Sequence, residues 1–118
     1  MSWGTVELEP EVRKWLEKLD DDAFGQAEFY LDLLEREGVG LSEPYTRHVR
    51  GKLRELRFYL GRERYRVTYY IARGRRIILL TIFKKSAQKE LAEIAGAESA
   101  MARCVDEGHT AEEADGAD

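Results

Sequence analysis

The chain has 118 residues and a formal net charge of −4, with 43% hydrophobic and 36% charged residues. This length fits one domain with a modest core, and the composition excludes collagen-like and largely disordered chains. The single cysteine, Cys104, excludes an intrachain disulfide and fits a reducing compartment. No apolar run approaches the roughly 20 residues of a membrane helix, and the first residues lack the pattern of a signal peptide. We therefore expect a cytoplasmic protein.

The N-terminal third of the chain predicts a short strand followed by two helices. Val6 and Leu8 alternate with polar neighbours, as in a half-buried strand, and Pro10 suits the first turn of a helix. Residues 20–22 end that helix and cap a second one, which ends at Gly38. We expect the two helices to form an antiparallel pair. Their apolar residues, at helical spacing, are Val12, Trp15, Leu16 and Leu19 in the first and Phe24, Ala27, Leu31 and Leu34, beside Tyr30, in the second.

The middle of the chain predicts a loop and then three strands in an antiparallel meander. Residues 39–52 mix Gly, Ser, Pro and His and are predicted to form the loop. The next two runs alternate apolar and polar residues, as in half-buried strands, and the third is apolar on both faces, as in a central strand. Short turns at residues 61–63 and 73–74 join them. The three predicted strands are Leu53–Leu60, residues 64–72 and residues 76–83.

A final helix and an acidic tail are predicted after the meander. Ser86 can cap the helix, with Glu90 in its first turn. Residues 108–118 are small and acidic and cannot bury enough apolar surface to order themselves. We therefore expect a single domain of residues 1–107 and a flexible tail of residues 108–118. The residues expected on the apolar face of the final helix are Leu91, Ile94, Ala95, Met101, Ala102 and Val105.

These elements predict an α+β fold, in which a twisted antiparallel sheet carries the two N-terminal helices on one face and the C-terminal helix at its end. The helices must cover the apolar face of the sheet. Because side chains alternate along a strand, the opposite face is expected to show Arg57, Arg66, Thr68 and Tyr70 to solvent.

The basic residues concentrate in the predicted meander. Residues 46–90 hold 14 Lys and Arg against 3 Asp and Glu, whereas the rest of the chain holds 5 against 20. A basic segment within an acidic protein indicates a polyanionic partner. Arginine binds phosphate bidentately and tyrosine rings stack on unpaired bases, so the mixture favours single-stranded RNA; arginines that only solubilise surface strands are the alternative interpretation. The residues expected to contact RNA are Arg54, Arg62, Arg64, Tyr65 and Tyr70.

Other residues that could carry chemistry lie at the margins of this segment. Lys84 and Lys85 end the last predicted strand, a common place for functional groups, although strands leaving a core often end in charge. His48 could act as a general base, because histidine titrates near neutrality, or could be a plain loop residue. Cys104 has no evident His or Asp partner and is interpreted as a packing residue. No zinc-site spacing and no glycine-rich phosphate motif occurs, so we expect no metal or cofactor.

Four short elements follow one another in the basic segment. They are Glu55-Leu56-Arg57, Tyr65-Arg66 with Tyr69, the hydrophobic run 77–82, and Phe83-Lys84-Lys85. This ordered set resembles the RelE/ParE toxin superfamily and is most similar to its HigB, or phage Gp49-like, branch. The resemblance spans about residues 53–101, and the two N-terminal helices match in type and order only.

The resemblance implies a RelE-like fold and the activity of a ribosome-dependent mRNA endonuclease, the toxin of a type II toxin–antitoxin system. Its partner would be an inhibiting antitoxin, expected to be a helix-turn-helix protein. In such enzymes the RNA 2′-hydroxyl attacks the adjacent phosphate without a metal. By position, Arg66 matches the family's phosphate-binding arginine, Arg57 the basic position on the preceding strand, and Lys84 or Lys85 the basic position after the last strand. One of these lysines, or His48, would transfer a proton.

The sequence departs from the family pattern in the last helix. RelE has a tyrosine there, near its active site, where this chain has Leu91, so that role is either empty in this chain or filled by another residue, for which Tyr70 and His48 are the candidates. Two other functions stay open: a ParE-like inhibitor of DNA gyrase, which binds without cleaving, and a non-catalytic RNA-binding member of the fold. The basic residues kept in this chain argue against the gyrase inhibitor.

Overall fold

Five strands and three helices make up the fold, which the computed structural model describes for residues 2–85 and 90–107. The elements are β1 (Thr5–Leu8), α1 (Pro10–Glu17), α2 (Asp21–Glu37), a short 3₁₀ turn (Gly38–Gly40), β2 (Thr46–Arg50), β3 (Leu53–Leu60), β4 (Glu63–Ala72), β5 (Arg76–Lys84) and α3 (Glu90–Glu107). The predicted cap at Ser86 and the predicted tail of residues 108–118 lie outside the described residues. Within the described ranges, the helices carry no apolar stretch that could cross a bilayer.

Local sequence signals set the ends of α1 and α2. Pro10 occupies the first turn of α1, where no backbone N–H is needed. The side chain of Asp20 caps α2 by accepting a hydrogen bond of 2.8 Å from the backbone N–H of Ala23. Gly38 ends α2 with a φ of 52°, and a Cβ at that position would collide with the ring of Trp3. The predicted boundaries near residues 20 and 38 are therefore confirmed.

The predicted α+β fold is confirmed, with a sheet that is mixed rather than wholly antiparallel. The strands lie in the order β1-β5-β4-β3-β2. β3, β4 and β5 form the predicted antiparallel meander, whereas β1 pairs in parallel with β5. β1 and β5 are far apart in sequence, and the long connection between these two strands imposes no turn geometry. They can therefore pair in either direction. β5 lies between β1 and β4 and is buried on both faces, as predicted.

A strand forms where the sequence predicted a loop over residues 39–52. β2 pairs antiparallel with β3 at the edge of the sheet, with an irregularity between His48 and Arg50. The predicted loop is therefore wrong over residues 46–50. The physical reason is that edge strands are commonly charged and irregular, so β2 shows no alternation that would distinguish it from a loop.

Apolar side chains fill both faces of the sheet. The first core lies between the sheet and helices α1 and α2, and the second core lies between the sheet and α3. Buried residues of the first core are Val12, Leu16, Ala27, Leu34, Leu41, Leu56, Phe58, Leu60, Val67, Tyr69, Ile77 and Leu79. Those of the second core are Leu53, Tyr70, Ile78, Leu80, Ala97, Ala100 and Cys104.

The second core lies on the face that was expected to be open to solvent. Thr68 and Tyr70 are buried on this face, and the hydroxyl oxygens of Thr68 and Thr81 are 2.6 Å apart. The expected exposure of Thr68 and Tyr70 is therefore wrong. Because Ile78 and Leu80 of β5 point to this face, it needs an apolar cover as well, and α3 supplies that cover rather than lying at the end of the sheet.

The buried face of α3 only partly matches the predicted one and is formed mostly by small residues. Leu91 and Val105 are 79% and 59% exposed, and Ala95 and Ala102 are exposed as well. The predicted face is therefore wrong at these four positions. The side of the helix that carries Ala97, Ala100 and Cys104 faces the sheet instead, because these small side chains let the helix axis approach the strands closely. The residues of α3 that pack in the second core are Ile94, Ala97, Ala100, Met101 and Cys104.

The second core contains one polar contact between β4 and α3. The Tyr70 hydroxyl donates a hydrogen bond to Sγ of Cys104 over 3.3 Å. Burial, assisted by this bond, raises the pKa of the Tyr70 phenol well above its usual range. The phenol stays protonated and enclosed, so the acid–base role considered for Tyr70 does not fit its place in the fold.

Leu53→Ala is expected to lower the free energy of unfolding by about 2–5 kcal/mol, because it opens a cavity in the second core. Leu91→Ala, the matched control, removes the same atoms at a site that is 79% exposed and is expected to change that free energy by less than about 0.5 kcal/mol. Urea denaturation measures both values. Similar losses in the two variants would contradict this orientation of α3.

The raised pKa of Tyr70 predicts a loss of stability at alkaline pH. The unfolded chain releases the phenol proton at a lower pH than the folded chain does, so stability falls as the pH rises above about 10. Tyr70→Phe is expected to remove this part of the decline, whereas Tyr59→Phe, at a 56% exposed site, is not. Denaturant titrations at increasing pH test this, and equal slopes for wild type and Tyr70→Phe would refute it.

Candidate active site

Two arginines face each other across strands β3 and β4. Arg57 lies directly opposite Arg66, and Tyr59 lies opposite Arg64. Because side chains alternate along a strand, these four residues share the face that carries the second core further along the sheet. The structure thus brings Arg57 and Arg66 together, as the period of two predicts.

A cleft of about 250 Å³ opens beside these residues. It lies at the edge of β3, just beyond the point where the backbone N–H of Arg57 donates to the carbonyl oxygen of Tyr45 over 2.8 Å. The rings of Tyr45 and Tyr59 are 41% and 56% exposed at its rim. The lining residues are Tyr30, Pro44, Tyr45, Arg57, Phe58, Tyr59, Arg64 and Arg66.

A buried carboxylate lies between the two arginines. Oε2 of Glu55 is 3.8 Å from Nε of Arg57 and 3.6 Å from Nε of Arg66. The side chains of Glu55 and Arg66 are 5% and 4% exposed, and that of Arg57 is 29% exposed. These three residues are named the Arg–Glu–Arg cluster.

The expectation that Arg66 faces solvent is wrong. Its guanidinium is enclosed, and its Nη1 also donates to the carbonyl oxygen of Tyr65 over 3.3 Å. Burying a charge is costly unless it is compensated, and the Glu55 carboxylate supplies that compensation. Arg57 is therefore the more accessible cation of the facing pair.

Four of the predicted site residues, Lys84, His48, Arg54 and Tyr65, lie on the opposite face of the sheet, that of the first core. Lys84 lies opposite Tyr65, and its Nζ is 3.3 Å from Oε1 of Glu63. His48 lies opposite Arg54, and its Nε2 is 2.7 Å from a backbone carbonyl oxygen. The structure therefore does not bring Lys84, His48 or Arg54 to the Arg–Glu–Arg cluster.

The remaining predicted residues divide between the cleft, the surface and the two cores. Lys85 lies next to Arg64 of the cleft through its backbone, whose N–H donates to the carbonyl oxygen of Arg64 over 2.8 Å, although its side chain is not part of the cleft lining. Arg62 is exposed in the turn between β3 and β4. Tyr65 packs against aromatic rings of the first core, and Tyr70 is buried in the second core. Neither of these two rings offers a free face for stacking on a base.

Sequence reasoning misses two residues of this site, Glu55 and Tyr45. Glu55 is the one acidic residue between Leu53 and Arg62, which is a usable signal, because a lone carboxylate among alternating arginines has cations on both sides. Tyr45 precedes β2 in the segment predicted to be a loop, where no periodicity indicates which side chains face the arginines.

The site is a cationic cleft flanked by aromatic rings. Arg57 and Arg64 offer guanidinium groups to an anion, and Tyr45 and Tyr59 offer ring faces for stacking. In the part of the chain that the structure describes, no three His, Cys, Asp or Glu side chains come together as metal ligands. The arrangement can bind a phosphodiester, orient it and stabilise negative charge that develops on it.

Comparison with known proteins is consistent with this geometry. Structures of RelE toxins are among the solved structures that are similar to this chain. The archaeal RelE–RelB complex from Pyrococcus horikoshii OT3 has a TM-score of 0.53 and 25% identity, covering 71% of this chain and 97% of that one. A mutant of the E. coli toxin RelE in the free state has a TM-score of 0.60 and 17% identity, covering 87% of this chain and 98% of that one. Among curated proteins, no sequence matches this chain.

The family is shown by a sequence profile. The profile described as "Phage derived protein Gp49-like (DUF891)" matches residues 14–102, which is most of the chain. This confirms the resemblance carried by the four elements of the basic segment. The chain belongs to the phage Gp49-like family, and its fold is that of the RelE toxins.

Proposed function

We propose that this protein is the toxin of a type II toxin–antitoxin system and that it cleaves mRNA on the translating ribosome. The observation that carries the proposal is the position of Arg57 opposite Arg66 beside an open cationic cleft. Family membership and the likeness to RelE structures support it.

The proposed reaction moves the scissile phosphate from one oxygen of the RNA to another. The 2′-hydroxyl gives up its proton to a water molecule, and its oxygen attacks the adjacent phosphorus. The bond from phosphorus to the 5′-oxygen breaks, and the leaving oxygen takes up a proton, which yields a 2′,3′-cyclic phosphate and a 5′-hydroxyl. Negative charge grows on the non-bridging oxygens during the attack, so fixed cations beside them lower the barrier.

We assign the roles of the cleft residues in this reaction from how exposed each side chain is. Arg57 and Arg64 are the accessible cations, and we assign them to the non-bridging oxygens. Arg66 lines the same cleft but is enclosed, so it adds positive potential from behind Arg57. Lys85, the predicted lysine whose backbone contacts Arg64 of the cleft, is assigned as the general acid that protonates the leaving oxygen.

Single-stranded RNA is the substrate class that fits the rim of the cleft. Tyr45 and Tyr59 are exposed and line the cleft together with the arginines. An unpaired base can stack on such a ring whatever its identity, and the cleft of about 250 Å³ has room for part of a nucleotide rather than for a duplex.

The proposed partner is an antitoxin that covers the basic face with acidic or helical segments. The RelE–RelB complex from P. horikoshii supports this, because a protein of this fold, 25% identical over most of its length, is seen there with a partner chain. We retain the expectation that the partner is a helix-turn-helix protein encoded next to this one. Both would act in the cytoplasm, where the ribosomes are.

Arg57→Ala is expected to slow mRNA cleavage by about 100-fold or more, because one fixed cation beside the phosphate is removed. Arg73→Ala is the matched control, since Arg73 is exposed in the turn at the far end of β4, and it is expected to keep the wild-type rate. Primer extension on mRNA from a purified translation system measures both rates. Intact mRNA together with inhibited DNA supercoiling would instead identify a gyrase inhibitor, and RNA binding without cleavage a non-catalytic protein.

Lys85→Ala is expected to slow cleavage by about 100-fold to 10,000-fold, because the leaving oxygen loses its proton donor. Lys52→Ala, in the exposed turn between β2 and β3, serves as the control and is expected to have no effect. An mRNA with sulfur in place of the scissile 5′-oxygen has a leaving group that needs no proton, so Lys85→Ala is expected to cleave it at close to the wild-type rate. Equal defects on the oxygen and sulfur substrates would remove Lys85 from this role.

A further inference from the structure

We infer that Glu55 is a positioning residue that holds Arg57 and Arg66 in place at the cleft for the scissile phosphate. The inference rests on the proposed endonuclease function and adds to it a residue that makes no contact with RNA. Oε2 of Glu55 lies 3.8 Å from Nε of Arg57 and 3.6 Å from Nε of Arg66.

A carboxylate at this position reduces the positive charge of a site whose proposed substrate is an anion. Three arginines line the cleft, and Glu55 is directly beside two of them. RNA binding gains from each cation that neutralises a phosphate, so a site built only for affinity has no use for this negative charge. The presence of Glu55 therefore indicates a role other than affinity.

The role of Glu55 follows from the facing positions of Arg57 and Arg66. Like charges directly opposite one another on neighbouring strands repel, and Arg57 and Arg66 form such a pair. Because Arg66 is enclosed, water and salt screen this repulsion poorly. One carboxylate in contact with both guanidinium groups lets them stay side by side, so they need less reorganisation when negative charge develops on the phosphate.

Glu55 is itself held firmly. Its backbone lies within the sheet, opposite Arg47 of β2 on one side and Thr68 of β4 on the other. Its side chain is 5% exposed, so few rotamers are open to it. A carboxylate fixed in this way attracts both guanidinium groups toward one point, and the carbonyl oxygen of Tyr65 holds Nη1 of Arg66 in addition.

Glu55→Gln tests the inference, because it keeps the shape of the side chain and removes its charge. We expect kcat for cleavage of ribosome-bound mRNA to fall between about tenfold and 100-fold. Affinity for a ribosome complex whose mRNA carries non-cleavable 2′-O-methyl groups is expected to stay the same or to tighten, with a steeper salt dependence, because the cleft gains one net positive charge.

Two further variants separate position from simple charge loss. Glu55→Asp keeps the charge with a shorter reach and is expected to recover part of the lost kcat. Glu98→Gln removes a carboxylate that is paired with Arg50 over 3.2 Å on the surface of α3, and it is expected to keep wild-type kcat and affinity. Thermal unfolding establishes that each variant is folded at the assay temperature.

The outcomes distinguish this inference from the proposed function. A wild type that cleaves and a Glu55→Gln variant with unchanged kcat would overturn the inference alone. Parallel losses of kcat and affinity without a change in salt dependence would also overturn it, since that is the pattern of a damaged fold. If Glu55→Gln does not fold, Glu55→Asp decides, and a wild-type kcat there refutes positioning. A wild type that never cleaves overturns the proposed function, and the inference with it.

Discussion

The register of the β3–β4 ladder is the constraint on which the site depends. Leu56, Phe58 and Val67 alternate with the arginines and are buried in the first core. Because side chains have a period of two, a slip of one residue would expose these apolar groups and turn the arginines inward. Burying each such side chain is worth about 1.5–3 kcal/mol, whereas the attraction within a buried ion pair is largely offset by the cost of removing both charges from water. Hydrophobic burial on one face therefore sets the positions of the charges on the other.

The face that carries the arginines is divided into an apolar and a charged part. Leu53, Tyr70 and Ile78 pack beneath α3, and Glu55 and Arg66 are buried further along the same strands. Charged groups next to an apolar core must be compensated inside the protein. The Arg–Glu–Arg cluster meets this requirement and leaves a net positive charge at the cleft, which joins the energetics of the fold to the chemistry of the site.

Periodicity in the sequence predicts the helices and the meander, because most of these helices and strands bury one side and expose the other. It fails at β2, an edge strand without alternation, and at α3, where four of the six residues predicted to be buried are exposed. It also cannot choose between Lys84 and Lys85. The β4–β5 ladder shifts register between Thr68 and Tyr69, and a bulge of this kind inverts the alternation that follows it. Lys84 is thereby placed on the face of the first core, opposite Tyr65, while the backbone of Lys85 contacts Arg64, and no sequence signal marks the shift.

Cys104 is a natural thiol probe of the second core. It is the single cysteine of the chain and is 2% exposed beneath α3, so an alkylating reagent can reach its sulfur only when that helix lifts from the sheet. Thiol reactions require access as well as ionisation, and segments of a protein open with free energies well below that of global unfolding. The rate of alkylation of the native protein therefore reports how tightly the last helix is docked, without any engineered probe.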